Sequence, residues 1–155
     1  MSDTLTFRNR HRTRRVDLRV LRRIAQALLR DAQPNESFDL GVYLVAAPEM
    51  TRLNETFLQH KGSTDVITFN YTEPSGQPCL HGEIFICLDE AVSQARRFHT
   101  TWQSEVVRYL VHGVLHLLGH DDQDSRSRRR MRIVENAQVQ CLSRQFDFHQ
   151  LGREA

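Results

Sequence analysis

The stretch His112-Gly113-Val114-Leu115-His116-Leu117-Leu118-Gly119-His120-Asp121-Asp122 runs from an apolar helical pattern into an acidic turn, and the rest of the chain is ordered around it. Residues four apart on an α-helix are separated by ~6 Å along the axis and ~40° around it, so His112 and His116 project from one side and can converge on one ion. Zn²⁺ suits such a pair, because it takes neutral imidazole nitrogen at ~2.0–2.1 Å and a carboxylate oxygen at a similar distance. Gly119 tolerates the positive φ that ends a helix, and Asp122, three residues later, can swing back toward the ion. Asp122 is therefore the expected third ligand. His120 and Asp121 compete for that place: His120 keeps one-turn spacing from His116 but lies beyond the glycine, and Asp121 is better suited to a hydrogen bond behind the ligands. A lone histidine at such a position is usually a hydrogen-bonded core or surface residue. Two at this spacing, followed by a glycine and an acidic residue, point to a metal.

Gly113 narrows the chemistry. In the H-E-x-x-H pattern of metallopeptidases the residue after the first histidine is the glutamate general base, and this chain has none there. A bound metal can still lower the pKa of water to ~7 or polarise a phosphoryl oxygen, so a hydrolysis that does without that glutamate stays open.

Outward from this stretch, the helical pattern begins near Ser104, with Trp102 anchoring its mouth, and a last helix spans roughly Ser125 to Phe146 with Met131, Val134, Gln138, Cys141 and Leu142 along one stripe. On the other side Gly82 to Leu88 reads as a strand, after which Asp89 caps a helix that ends near Phe98. Asp65 to Phe69 is a β-branched run entered through the polar Thr64-Asp65, whose start is expected to face a site; Pro74, Gly76 and Pro78 break it, and the loop of about a dozen residues allows an antiparallel return. Pro48 starts a short helix with Met50, Leu53 and Phe57 as core, and Phe38 to Val45 alternates as a strand whose second face turns apolar toward its end. Asp17 opens a helix carrying Val20, Leu21, Ile24, Ala25, Leu28 and Leu29 on one side, preceded by a strand from Leu5 to Asn9. Helices and strands are interspersed, which predicts a mixed α/β (α+β) fold: one domain over residues 1–155, a four-stranded mixed sheet, packed helices and a zincin-like metal helix.

A chain of 155 residues can bury a sizeable core without disulfides. Cys79, Cys87 and Cys141 are scattered and unpaired in sequence, which argues against a disulfide framework or a cysteine zinc cage and for reduced thiols in a cytoplasm. No apolar run approaches the ~20 residues that span a bilayer, so no membrane association is expected. The net charge is only +2, but all basic side chains except Lys61 are arginine. Arg8, Arg10, Arg12, Arg14 and Arg15 crowd the start, and Arg126, Arg128, Arg129, Arg130 and Arg132 crowd a later segment. Guanidinium forks match phosphate geometry and can hold RNA; a solvated helix face is the plainer reading of either cluster alone.

At residues 112–122 the sequence resembles the YbeY family, bacterial endoribonucleases of ribosomal RNA maturation whose hallmark is H-G-x-L-H-L-x-G-x-D-H; ten of the eleven places are filled compatibly by residues 112–121. The likeness extends over nearly the whole chain, through Leu53-Asn54, Thr64-Asp65-Val66-Ile67-Thr68-Phe69, Gly82-Glu83-Ile84 and Glu105. It implies the family's α/β fold, one Zn²⁺ per chain, and ribosomal RNA with the ribosome or ribosomal proteins as partners. Two departures stand out. Asp122 occupies the place of the last motif histidine, which makes the site harder and lowers its charge by one relative to three histidines. Leu58 stands where many members carry an arginine thought to contact the substrate, and His60 is a candidate partial replacement.

Three functions fit these residues. The first is a zinc-dependent, single-strand-specific endoribonuclease acting on the small-subunit ribosomal RNA 3′ end, with His112, His116 and Asp122 on the metal and a cleft edged by the Thr64–Phe69 strand. The second is a ribosome-assembly factor whose metal is only a staple; a closed four-ligand site would mark it. The third is a metallopeptidase, disfavoured by Gly113.

Overall fold

In the computed structural model, which describes residues 3–34, 36–73 and 79–153, the strands are β1 (Thr4–Asn9), β2 (Ser37–Val45), β3 (Val66–Asn70) and β4 (Cys79–Cys87). The helices are α1 (Leu18–Ala32), α2 (Ala47–Phe57), α3 (Leu88–Phe98), α4 (Trp102–Leu117) and α5 (Ser125–Gln145), followed by a 3₁₀ turn at Phe148–Leu151. One four-stranded sheet has the order β1-β2-β4-β3. β1, β2 and β4 are parallel, and β3 returns antiparallel to β4, pairing Val66 with Ile86 through to Asn70 with Gly82. The expected mixed four-stranded sheet and the antiparallel return are both present. Pro74, Gly76 and Pro78, expected to break the third strand, lie outside the described residues.

The pleat sends alternate residues to opposite faces. Leu40, Val42 and Leu44 of β2, with Ile84 and Ile86 of β4, point to the main core, where they meet α1, α3 and α4. Tyr43, Val45, Phe85 and Cys87 point the other way and pack with Ile67 and Met50 under α2, so the apolar end of β2's second face has the partner its pattern called for. The stripe assigned to α2 is only partly core: Met50 is fully buried, whereas Phe57 is 61% exposed and lays its ring edge-on to Phe69.

Several boundaries differ from expectation for local reasons. β4 starts at Cys79, three residues before Gly82, because Ser37 of β2 is available as its pairing partner. Asp89 is not the cap of α3: Cys87 holds the N-cap position, and Asp89 in the first turn spends its carboxylate elsewhere, accepting from the Ala47 amide at 2.7 Å and bonding His11 Nε2 at 2.9 Å. α4 begins at Trp102, earlier than Ser104, since Thr101 and Ser104 form a reciprocal capping box. Trp102 is a helix-start anchor, as expected, and donates to the Arg153 carbonyl. All three cysteines are free thiols. Among the described residues no helix is long and apolar enough to cross a membrane.

α4 positions everything that follows. It is buried along its length except at Ser104, Arg108, His112 and His116, one residue per turn. Gly113 lets this helix press onto the sheet: a Cβ there would lie 2.8 Å from Cγ2 of Ile84. The place of the peptidase glutamate therefore faces β4, away from the half-exposed histidine stripe.

Candidate metal centre

The two histidines come together as their spacing predicts, with ring centroids 4.7 Å apart and Nε2 atoms 3.1 Å apart. Gly119 ends the helix in a Schellman turn: its φ is +101°, its amide donates to the His116 carbonyl at 3.0 Å, and the His120 amide donates to the Leu115 carbonyl at 3.0 Å. That reversal returns Asp122 to the stripe, where Oδ2 lies 3.3 Å from His116 Nε2 and 3.8 Å from His112 Nε2. The chain beyond is held by local bonds. Asp121 accepts from the Gln123 amide, Asp124 caps α5 at the Ser127 amide, and Arg128 donates to the carbonyls of Asp122 and Gln123. Neither His120 nor Asp121 is part of the cluster, and Asp121 serves the turn instead of a ligand imidazole.

These three side chains can hold a metal ion, their donor atoms all lying within 4.8 Å of one another. A tetrahedral ion with ligands at ~2.0–2.1 Å needs ~3.3–3.4 Å between donor atoms, and the observed separations of 3.1, 3.3 and 3.8 Å bracket that edge. The donor set, two imidazoles and a carboxylate, is one that Zn²⁺ accepts. The side chains are 27%, 27% and 40% exposed, so the face opposite the protein stays open to solvent.

Behind His112 stands Glu135 of α5, which is not among the site residues expected from the sequence. Its Oε1 lies 2.6 Å from His112 Nδ1, and its Oε2 accepts from Arg108 at 2.8 Å. A carboxylate only accepts, so in the neutral ring the proton sits on Nδ1 and the Nε2 lone pair faces the site. Burial pushes the His112 pKa down, but the hydrogen bond to Glu135 and its charge push it further up, leaving it above the ordinary imidazole value. Burial likewise raises Glu135, and its bonds from His112 and Arg108 outweigh that and hold it below the carboxylate range. A signal was available in the sequence: Met131, Glu135, Gln138 and Leu142 share a helical stripe, and a carboxylate amid apolar neighbours needs a partner.

A cavity of ≈ 220 Å³ opens between α4 and α5 against this centre. His112, Asp122 and Glu135 line one part, Arg108, Arg128 and Arg132 another, and Asp65 reaches in from the loop before β3. The polar start of the Thr64–Phe69 segment thus faces the site through Asp65, while Phe69 packs away from it against Phe57 and Phe85. Leu58 and His60, at the end of α2, do not line the cavity. Tyr109 also borders the cavity with its hydroxyl buried and unbonded among the described residues, and burial together with Asp65 and Glu105 drives its pKa far up. Glu105 is buried in the first turn of α4, outside the metal cluster, with its carboxyl raised by that burial.

A sequence model of the family described as Endoribonuclease YbeY matches residues 6–143. The chain is 32% identical over 147 residues to a protein of Salinibacter ruber named Endoribonuclease YbeY, covering 90% of this chain and 92% of that one. It is 33% identical over 131 residues to the protein of the same name from Chlorobium luteolum, covering 84% and 93%. The fold also matches the solution structure of a Thermotoga maritima protein with a TM-score of 0.64 and 23% identity, over 92% of this chain and 91% of the other.

Proposed function

The chain belongs to the YbeY endoribonuclease family, and from that premise we propose that it is a zinc-dependent, single-strand-specific endoribonuclease that matures ribosomal RNA in the cytoplasm, working with the ribosome or its proteins. The observation that carries this reading is the near-tetrahedral spacing of His112 Nε2, His116 Nε2 and Asp122 Oδ2 with an open fourth side. We assign these three atoms as the metal ligands.

Zn²⁺ held there supplies Lewis-acid polarisation of a phosphoryl oxygen and a water made acidic enough to react near neutral pH. The chain's own residues do the rest. Glu135 fixes the His112 tautomer and ring orientation, and Arg108 keeps Glu135 ionised while that carboxylate is buried. Gly119 and the turn after it set the reach of Asp122. Asp65 presents a carboxylate to the cavity from the opposite wall, a base already fixed at Oδ1 by the Val66 amide.

Among the described residues three donors converge, which supports catalysis over a purely structural staple that would close its coordination with a fourth protein ligand. Gly113, pressed against Ile84, leaves a peptidase mechanism without its glutamate. Purified protein carrying Zn²⁺ should cut single-stranded RNA, spare duplex, and lose the activity in His116→Ala. Absence of cleavage of any RNA by metal-replete protein would reject the proposal.

A further inference from the structure

The two arginine clusters have different fates. In the first, Arg10 bonds Glu49 at 2.7 Å and lies over the Tyr43 ring, and Arg14 lies over Trp102, so its main members are packed on the protein's own surface. In the second, Arg128 and Arg132 sit one turn apart on α5, exposed beside the buried Met131 and Glu135, and line the cavity, whereas Arg126 and Arg129 fall outside its wall.

The guanidinium groups around the cavity are engaged to different degrees. Arg108 is neutralised by Glu135. The Arg128 side chain hydrogen-bonds only the carbonyls of Asp122 and Gln123, and the one carboxylate its charge acts on is the fully exposed Asp124. Arg132 makes no hydrogen bond or ion pair with any described residue, although it lines a cavity whose other wall is a metal centre. Three arginines there face three carboxylates, Asp65, Asp122 and Glu135. A divalent cation on the two histidines and Asp122 then leaves the cavity positive. An unpaired guanidinium fork on the wall of a positive cavity matches an anionic, tetrahedral group with several acceptor oxygens.

We propose that Arg132, assisted by Arg128, holds a phosphate of the RNA backbone next to the metal centre. This rests on the nuclease reading for the identity of the ligand, and it adds the residues that seat it. Arg132 is the cleaner probe, because its truncation breaks no bond within the protein, whereas Arg128 also braces the loop that carries Asp122.

The experiment compares zinc-loaded parent protein with Arg132→Ala, the pair Arg128→Ala/Arg132→Ala, and the charge-matched pair Arg126→Ala/Arg129→Ala. Two quantities are read: binding of a 2′-O-methyl single-stranded oligonucleotide by fluorescence anisotropy across a salt series, and KM and kcat for cleavage of unmodified RNA. Zinc content and circular dichroism verify that each variant is loaded and folded. The cavity pair should bind about tenfold more weakly, with the salt slope reduced by ~1.4 for two lost phosphate contacts. Arg132→Ala should show roughly half that change in slope and raise KM more than it lowers kcat. The charge-matched pair should stay within about twofold of the parent. Equal weakening in both pairs, or unchanged binding and KM in the cavity variants, overturns the assignment and leaves the nuclease reading intact. A parent protein that cuts no RNA, yet binds it through Arg132, refutes the nuclease reading and sustains this one.

Discussion

Glu135→Gln tests the organisation of the centre at one atom. Glu135 now satisfies two donors, His112 Nδ1 at 2.6 Å and Arg108 at 2.8 Å, with one oxygen for each. Glutamine keeps the shape but owns a single acceptor. If that oxygen turns to Arg108, the amide NH₂ faces His112 Nδ1, the ring proton moves to Nε2, and the lone pair needed by the metal is lost. If the oxygen turns to His112 instead, the NH₂ faces the Arg108 donor and the guanidinium loses its salt-bridge partner, keeping only Asn136 and the charge of Glu105. Either arrangement spoils the support behind a ligating histidine, and losses of this kind cost about 10–100-fold in metal affinity, or about 1.4–2.7 kcal/mol. The fold should survive, because the Arg108 side chain is 35% exposed and water can take over part of its solvation. Competition titration of Zn²⁺ against a chromophoric chelator measures the loss, and ¹⁵N shifts of the His112 ring report the tautomer. Affinity within twofold of the parent, with the Nδ1–H tautomer retained, would refute the role given to Glu135.

Gly113→Ala should destabilise the protein by about 1–3 kcal/mol through overpacking against Ile84, seen in urea unfolding. Gly113→Glu, which restores the peptidase motif on paper, should be less stable still and turn over no casein. Gly119→Ala has open space around its new methyl, so its cost is the backbone alone at φ +101°, about 1–2 kcal/mol, together with weaker zinc binding as Asp122 is displaced; an unchanged melting temperature contradicts this. Asp89 gives a pH signature: burial raises its carboxyl, but the bonds from His11 and the Ala47 amide bring it below its ordinary 3.8. A lowered folded-state pKa means that the stabilisation from its hydrogen bonds, about 1 kcal/mol, is fully present above the ordinary value and lost as pH falls through the lowered one. The stability difference between parent and Asp89→Asn in urea should therefore be flat from pH 7 to 5 and shrink toward pH 3.

What the sequence made legible was everything governed by local period. The strand alternation at Phe38–Val45, the helical stripe after Asp17, and the convergence of His112 and His116 follow from geometry that spans fewer than a dozen residues. Even the reach of Asp122 is local, since the Schellman turn at Gly119 is nearly determined by the glycine itself. What escaped depends on how one element is rotated against another. Asp89 carries the composition of a cap, and only the approach of α2 and of the segment before α1 shows that its oxygens go to Ala47 and His11. Glu135 lies 23 residues from His112 and meets it only because α5 lies against α4. The later arginine cluster reads as one solvated run until Met131 and Leu142 define which side of α5 is buried; that rotation then turns Arg128 and Arg132 to the cavity and leaves Arg126 and Arg129 outside.

The charge of the metal ligands and that of the α5 arginines act on the same quantity. Asp122 brings one negative unit to a centre whose other two donors are imidazoles. Phosphodiester cleavage concentrates negative charge on non-bridging and leaving oxygens, so a centre lowered by that unit would hold its substrate and its transition state less well. Arg128 and Arg132 bring two positive units to the wall of the same cavity, one on backbone carbonyls and one with no described partner. On that account the aspartate ligand and the α5 arginines are coupled. Arg132→Ala should cost more activity in the Asp122 protein than in an Asp122→His background, where the extra positive unit on the metal centre compensates. A double-mutant cycle on kcat/KM measures this directly, and strictly additive losses would separate the two features and leave the arginine pair as a matter of binding alone.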